Sequence, residues 1–322
     1  MQTTAKISVR TLFEENRERL QLRVINGEYS FDREITEPDL HRPGLALAGF
    51  TDVFTYRRVQ IIGNTESRYL ERLSPAERTR TLEKVLAFGI PCIIVTDNNP
   101  VAPELERIAT DKGVTLFGTP LNTTQLMQLL SEYLDDKFAP RLMVHGTLVD
   151  VYGIGVLITG RSAIGKSEVA LDLVERGHRL VADDVVHIVR KADGILMGTA
   201  SDLLQQHMEI RGLGIIDVRA LFGIRAVRMQ KRVEVEVHLE EWDSSQDYER
   251  LGLDEQFTEY LGVKIPIVRL PIFPGKNITV IVEVIALNQL LKIYGTDTAK
   301  EFSQKLIRLL QTKKTYLTGD LE

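Results

Sequence analysis

The stretch Gly160–Arg161–Ser162–Ala163–Ile164–Gly165–Lys166–Ser167 fits the pattern G-x-x-x-x-G-K-[ST] of a phosphate-binding loop. The residue types follow from the chemistry. Glycine lets the backbone close on an anion, so that several N–H groups point at it. A helix starting here turns its positive end toward the same phosphates. Lys166 adds a mobile cation, and Ser167 a hydroxyl for a Mg²⁺ ion that bridges phosphate oxygens. The flanks agree with this reading. Val156–Leu157–Ile158 reads as a strand, and Val169, Ala170, Leu173 and Val174 share one helical face that ends before Gly177. Switches, motors and kinases all carry such a loop, so the motif alone names no reaction.

Two further groups carry chemistry. Asp183 and Asp184 fall inside the apolar run Leu180–Val186, which reads as a strand placed beside the phosphate-loop strand. One carboxylate suits a metal ion, and the other suits the proton of an attacking hydroxyl. Spacing does not rank them, and a solvated pair at a strand end is the plainer alternative. In Met208–Asp217, Glu209 and Arg211 share one face of a strand, with Gly212 and Gly214 just beyond. The carboxylate suits Mg²⁺ and the guanidinium a phosphate oxygen, although an ordinary surface pair fits equally well.

These groups need a scaffold. The chain has 322 residues, enough for two domains. Val59–Gly63, Pro91–Thr96 and Val114–Phe117 read as strands, alternating with helices over Pro75–Phe88, Pro103–Lys112 and Thr123–Leu134. That alternation predicts a small α/β domain with a largely parallel sheet over residues 1–135. The polar stretch 135–140 reads as the linker, and residues 136–322 as the second domain. There, Leu142–Val149 and Gly155–Thr159 read as strands joined around Tyr152–Gly153. Val233–Leu239 alternates like a half-buried strand, and Asn277–Leu291 and Thr296–Lys313 read as helices.

Composition bounds the function. Lys and Arg number 40 against 45 Asp and Glu, a net charge of −5 that disfavours general nucleic-acid binding. No apolar run is long enough to span a membrane, and Met1–Glu15 lacks the apolar centre of a signal peptide. The single cysteine, Cys92, fits a reducing cytoplasm.

The phosphate loop, the following Arg176–Asp184, and Glu209–Asp217 together resemble HPr kinase/phosphorylase. Tyr248–Asp254 and Pro271–Asn277 are also similar to segments of that family. The resemblance runs from about residue 130 to the end, and is weaker before it. It implies a C-terminal P-loop kinase domain of the phosphoenolpyruvate-carboxykinase-like type behind an N-terminal regulatory-type α/β domain. It implies a cytoplasmic homohexamer that phosphorylates a serine of the carrier protein HPr, with ATP or pyrophosphate as donor. The reverse reaction is phosphorolysis of phosphoserine-HPr by inorganic phosphate, releasing pyrophosphate.

The resemblance also implies roles. His145, which alone would be read as structural, becomes a catalytic residue that polarises the carboxylate base. Asp184 becomes the proton acceptor and Asp183 its supporting neighbour. Ser167 and Glu209 match the Mg²⁺ positions, and Arg250 the catalytic arginine. Met208, Arg211, Gly212, Gly214 and Asp217 fall in the signature segment. Pro271, Phe273, Gly275 and Lys276 fall in the dephosphorylation loop, where the family usually has a basic residue in place of Phe273 and arginine in place of Lys276. The phosphorylase direction is therefore less firmly implied than the kinase direction. Rival readings of the same motifs are a small-molecule kinase related to phosphoenolpyruvate carboxykinase and a nucleotide sensor without chemistry.

Overall fold

A computed structural model describes residues 6–201, 204–243, 255–273, 275–305 and 307. The chain forms two compact units that divide between Ala139 and Pro140. The last helix of the first unit, Thr123–Phe138, runs through the polar stretch that reads as a linker. It is started by the Asn122 side chain, which accepts from the Gln125 N–H.

The first unit carries a five-stranded sheet of β1 (Arg23–Val24), β2 (Leu40–His41), β3 (Val59–Ile62), β4 (Cys92–Val95) and β5 (Thr115–Gly118). Their order is β1-β5-β4-β3-β2, and all neighbours are parallel except β1 against β5. The three predicted strands occupy its centre and are buried throughout. A sheet covered on both faces gives continuous apolar runs rather than alternation.

The second unit holds β6 (Arg141–His145), β7 (Thr147–Val151), β8 (Ile154–Gly160), α1 (Lys166–Glu175), β9 (Arg179–Ala182), β10 (Val185–Arg190) and β11 (Leu196–Thr199). The hairpin β12 (His207–Ile210) and β13 (Gly214–Asp217) follows, then α2 (Val218–Phe222) and β14 (Gln230–Arg232). β15 (Val235–Glu241), β16 (Gln256–Tyr260), β17 (Val263–Ile272) and α3 (Ile278–Ile293) complete it. A six-stranded sheet has the order β9-β7-β8-β15-β17-β16, with β8, β15 and β17 parallel. A four-stranded antiparallel sheet has the order β14-β11-β10-β6.

The period of two along β8 sorts its neighbours. Val156 and Ile158 join Val235, Val237, Leu173 and Val282 in the core under α1 and α3. Leu157 joins Leu148, Val186, Ile188 and Val233 on the other face, against the second sheet.

Three expectations change. Leu142–Val149 is not one strand: it breaks at Gly146 into β6 and β7, which belong to different sheets. A Cβ on Gly146 would lie 2.6 Å from the Ile158 carbonyl, so glycine is what lets the chain cross there. Asp183–Asp184 is not inside a strand but forms the turn between β9 and β10, with Asp184 at φ 66°. The strand leading to that turn, β9, does not adjoin β8, because β7 lies between them. The predicted C-terminal helix is described from Thr298 to Lys305, and the rest of 296–313 lies largely outside the described residues.

Candidate active site

The phosphate loop leaves β8 at Gly160 and enters α1 at Lys166. Gly160, Ala163 and Gly165 take φ of 136°, 69° and 102°, backbone values that turn successive N–H groups inward. A Cβ on Gly160 would stand 2.5 Å from the Leu239 carbonyl of the parallel neighbour β15, so the loop is pinned against that strand. Lys166 Nζ donates to the Gly160 and Arg161 carbonyls at 3.2 and 3.0 Å. Burial draws its ammonium pKa below the usual lysine range, against the opposing pull of Asp183, Asp184 and Glu168. Arg161 points away, to an ion pair with Glu241.

An open cleft is lined by His145, Ser162, Ala163, Gly165, Lys166, Ser167, Glu168, Asp183, Asp184, Glu209 and Arg211. Four separate stretches of chain thus meet: the end of β6, the phosphate loop, the β9–β10 turn and the tip of the β12–β13 hairpin. Glu209 stands on β12, whereas Arg211 lies in the turn beyond it.

The turn separates the two carboxylates that spacing could not rank. Asp183 is 3% exposed and points inward. It accepts hydrogen bonds from Thr147 Oγ1 at 2.6 Å, from Ser167 Oγ at 3.0 Å to each oxygen, and from the Glu209 N–H at 3.4 Å. Burial pushes its pKa up, and these donors hold it back. Asp184 points outward, half exposed, with Oδ1 3.2 Å from His145 Nδ1. Its carbonyl accepts from the Gly146 N–H at 3.0 Å, which fastens the turn to the β6–β7 crossing.

The donors fit a Mg²⁺ ion. Ser167 spends its proton on Asp183, which leaves the lone pairs of its oxygen free for a cation. Glu209 offers a carboxylate on the same cleft. Among the described residues no cluster of three or more His, Cys, Asp or Glu side chains forms a complete metal cage. Mg²⁺ does not need one, since it is commonly held by one or two protein groups, water and substrate phosphates.

Other predicted site residues have structural places. Met208 is buried in the core under α1. Gly212 and Gly214 turn the hairpin at φ 83° and 94°, and Asp217 caps α2 by accepting from the Ala220 N–H at 2.9 Å. Ile164 packs against the core. The described residues of the segment from Pro271 to Lys276 do not line this cleft. Phe273 meets Trp242 edge-on at 5.4 Å, while Lys276 Nζ stands 5.2 Å over the Phe273 ring and donates to the Pro271 carbonyl. Pro274 and Arg250 lie outside the described residues.

A model of the HPr Serine kinase N terminus matches residues 7–134, and one of the HPr Serine kinase C-terminal domain matches residues 136–306. The chain belongs to the HPr serine kinase family. An HPr kinase/phosphorylase of Chloroherpeton thalassium is 53% identical over 296 residues, which is 92% of this chain and 87% of that protein. One from Prosthecochloris aestuarii is 52% identical over 312 residues, covering 94% and 92%. The solved Hpr(Ser) kinase/phosphatase from Coxiella burnetii is 34% identical over half of this chain and 98% of its own, with a TM-score of 0.45.

Sequence reasoning missed Thr147 and Glu168. Glu168 stands in the first turn of α1, directly after the loop, where its position was the signal. Thr147 had none: its 36-residue separation from Asp183 closes only when the chain crosses at Gly146. Thr147→Val keeps the shape and removes the donor. It should weaken Mg²⁺-dependent nucleotide binding by about tenfold to 100-fold, because groups behind a metal ligand act at that scale. Titration of nucleotide with and without Mg²⁺ checks this, the metal-free affinity staying near wild type.

Proposed function

We propose that this cleft transfers a phosphoryl group from Mg²⁺-bound ATP, or from pyrophosphate, to a serine of HPr, and runs the reverse reaction with inorganic phosphate. The observation that carries this reading is the division of the carboxylate pair. Asp183 is tethered to the Ser167 hydroxyl, while Asp184 faces the cleft beside His145.

In the forward direction Asp184 takes the serine proton as the serine oxygen attacks phosphorus. The bond to the leaving phosphate oxygen breaks, and Lys166 with the loop N–H groups holds the departing charge. In reverse a phosphate oxygen attacks phosphoserine, the bond from phosphorus to the serine oxygen breaks, and Asp184 returns the proton to that oxygen. His145 keeps the Asp184 carboxylate turned to the cleft in both directions. Ser167 and Glu209 would hold Mg²⁺, which when bound neutralises phosphate charge. Arg250 and Arg211 are assigned to the phosphoryl group in flight. Lys276 is the cation assigned to the incoming phosphate in reverse. Its ammonium, held by the Pro271 carbonyl over the Phe273 ring, offers a point charge rather than a bidentate fork.

The N-terminal domain is assigned residues 1–135 and the kinase domain 136–322. We place the enzyme in the cytoplasm as a hexamer, without nucleic-acid or membrane partners. Val280, Val284, Leu287 and Leu291 form an uncovered apolar stripe along α3, which suits contacts between subunits. Among the described residues no single helix is long and apolar enough to cross a membrane.

The reverse reaction gives the sharpest test. Phosphoserine-HPr incubated with the enzyme, Mg²⁺ and inorganic phosphate should yield one pyrophosphate for each phosphoryl group lost. Loss of the group with only free phosphate appearing would mean hydrolysis and would refute phosphorolysis.

A further inference from the structure

The polar face of β15 is not where alternation puts it. Val235, Val237 and Leu239 enter the core under α1 and α3, so Glu236 and His238 should face water. Instead Glu236 is 3% exposed, because the second sheet covers that face. A carboxylate in such a place needs donors. It has two. Thr159 Oγ1 donates to Oε1 in a short contact, and Tyr260 Oη donates to Oε2 at 2.8 Å. Burial and the Glu236 charge push the Tyr260 hydroxyl pKa upward, which keeps its proton available for this bond.

A third group joins through Thr159. His238 Nδ1 lies 2.9 Å from Thr159 Oγ1. The hydroxyl has one proton and spends it on Glu236, so His238 carries its proton on Nδ1 and donates it. The chain of donors runs His238 to Thr159 to Glu236, with Tyr260 closing the other side. It links β8, β15 and β16 across the sheet, reaching over β17.

Thr159 is the last residue before Gly160, where the phosphate loop begins. The Gly160 carbonyl is one of the two that hold Lys166 Nζ, and Gly160 is already pressed against Leu239. The Thr159 side chain is thus the hydrogen-bonded anchor immediately behind the loop, and Glu236 fixes it. No group of this network lines the cleft.

We propose that Glu236 is a positioning residue for phosphoryl transfer, acting through Thr159 on the strand end that carries the phosphate loop. This rests on that loop being the nucleotide site. Its effect should appear in catalysis as well as in stability, because small misplacements of phosphate-binding groups cost rate steeply.

Thr159→Val matches threonine in shape and removes the hydroxyl. It should lower kcat/KM for the nucleotide by about tenfold to 100-fold at a temperature far below the melting transition. Thr159→Ser, which restores the hydroxyl, should recover most of that loss. Glu236→Val should fall as far as Thr159→Val, Glu236→Gln should recover part, and the double valine variant should be no worse than either single one. If Glu236→Val does not fold, the two Thr159 variants carry the test alone. Folded valine variants with wild-type kcat and nucleotide KM and only a lowered Tm would overturn the proposal, reducing the network to a structural staple. Lys166→Ala is measured alongside. If it binds nucleotide as well as wild type, the phosphate-loop reading itself falls, and this proposal with it.

Discussion

Asp184→Asn is expected to lower HPr phosphorylation by about 10²–10⁴-fold, the usual contribution of a positioned proton acceptor. Nucleotide binding should survive. The two carboxylates of the turn have different surroundings, and only one is replaced. Asp183 keeps its bonds to Thr147 and Ser167, so the phosphate-loop side of the cleft remains built. The amide keeps the size of the carboxylate and cannot take the serine proton. The carboxamide oxygen still faces His145 Nδ1, so the turn should hold its left-handed backbone, a conformation that asparagine tolerates as well as aspartate. The same variant should lose phosphorolysis in equal measure, since the proton returns by the same path. A variant with the forward reaction abolished and the reverse intact would contradict the assignment. Binding isotherms for nucleotide and initial rates in both directions check it.

The largest effect on stability is expected at Glu283 on α3, which meets the end of α1 away from the phosphate loop. Its carboxylate, 6% exposed on α3, takes a bidentate pair from Arg176: Nε to Oε1 at 3.0 Å and Nη2 to Oε2 at 2.7 Å. His178 Nε2 lies 2.9 Å from Oε1, and the Tyr152 ring stands edge-on to the His178 ring at 4.6 Å. The cluster ties the end of α1 and the β7–β8 turn to α3. Glu283→Ala leaves the buried His178 without its partner and should cost about 3 kcal/mol, the low end for breaking a buried pair, because Arg176 can turn to water. For a unit of this size that lowers Tm by roughly 6–12 °C.

The pH dependence has a definite sign. The Arg176 hydrogen bonds, foremost, hold the Glu283 carboxyl below its usual range. A depressed carboxylate stabilises the fold above the unfolded value of about 4.3 and loses that contribution as pH falls through the folded value. Thermal melts of wild type should therefore fall toward the Glu283→Ala curve as pH drops below about 4, and the gap should be full at neutral pH. A constant gap across that range would show that the carboxylate charge is not what stabilises the cluster.

The phosphate loop was legible because every signal for it is local: strand, glycines, lysine and helix follow one another in the chain. The central strands of the first unit were legible for the same reason, as short apolar runs between helices. The site beyond the loop was only half legible. Asp183 and Asp184 could be named but not told apart, since their difference lies in the φ of one turn residue. The break at Gly146 was hidden in an unbroken apolar pattern, and only the close approach of the Ile158 carbonyl explains it. The half-buried reading of Val233–Leu239 fails at Glu236 for the opposite reason. Alternation is a rule for a sheet with one wet face, and a second sheet covers this one.

The proposed reaction makes phosphoserine on HPr by means of Lys166 and Asp184. The most direct measurement is the intact mass of HPr after incubation with enzyme, ATP and Mg²⁺, for wild type, Lys166→Ala and Asp184→Asn. Wild type should add one phosphoryl group, both variants should add none on the same timescale, and Asp184→Asn alone should still bind nucleotide. HPr phosphorylated at the wild-type rate by the folded Asp184→Asn enzyme would rule out Asp184 as the proton acceptor.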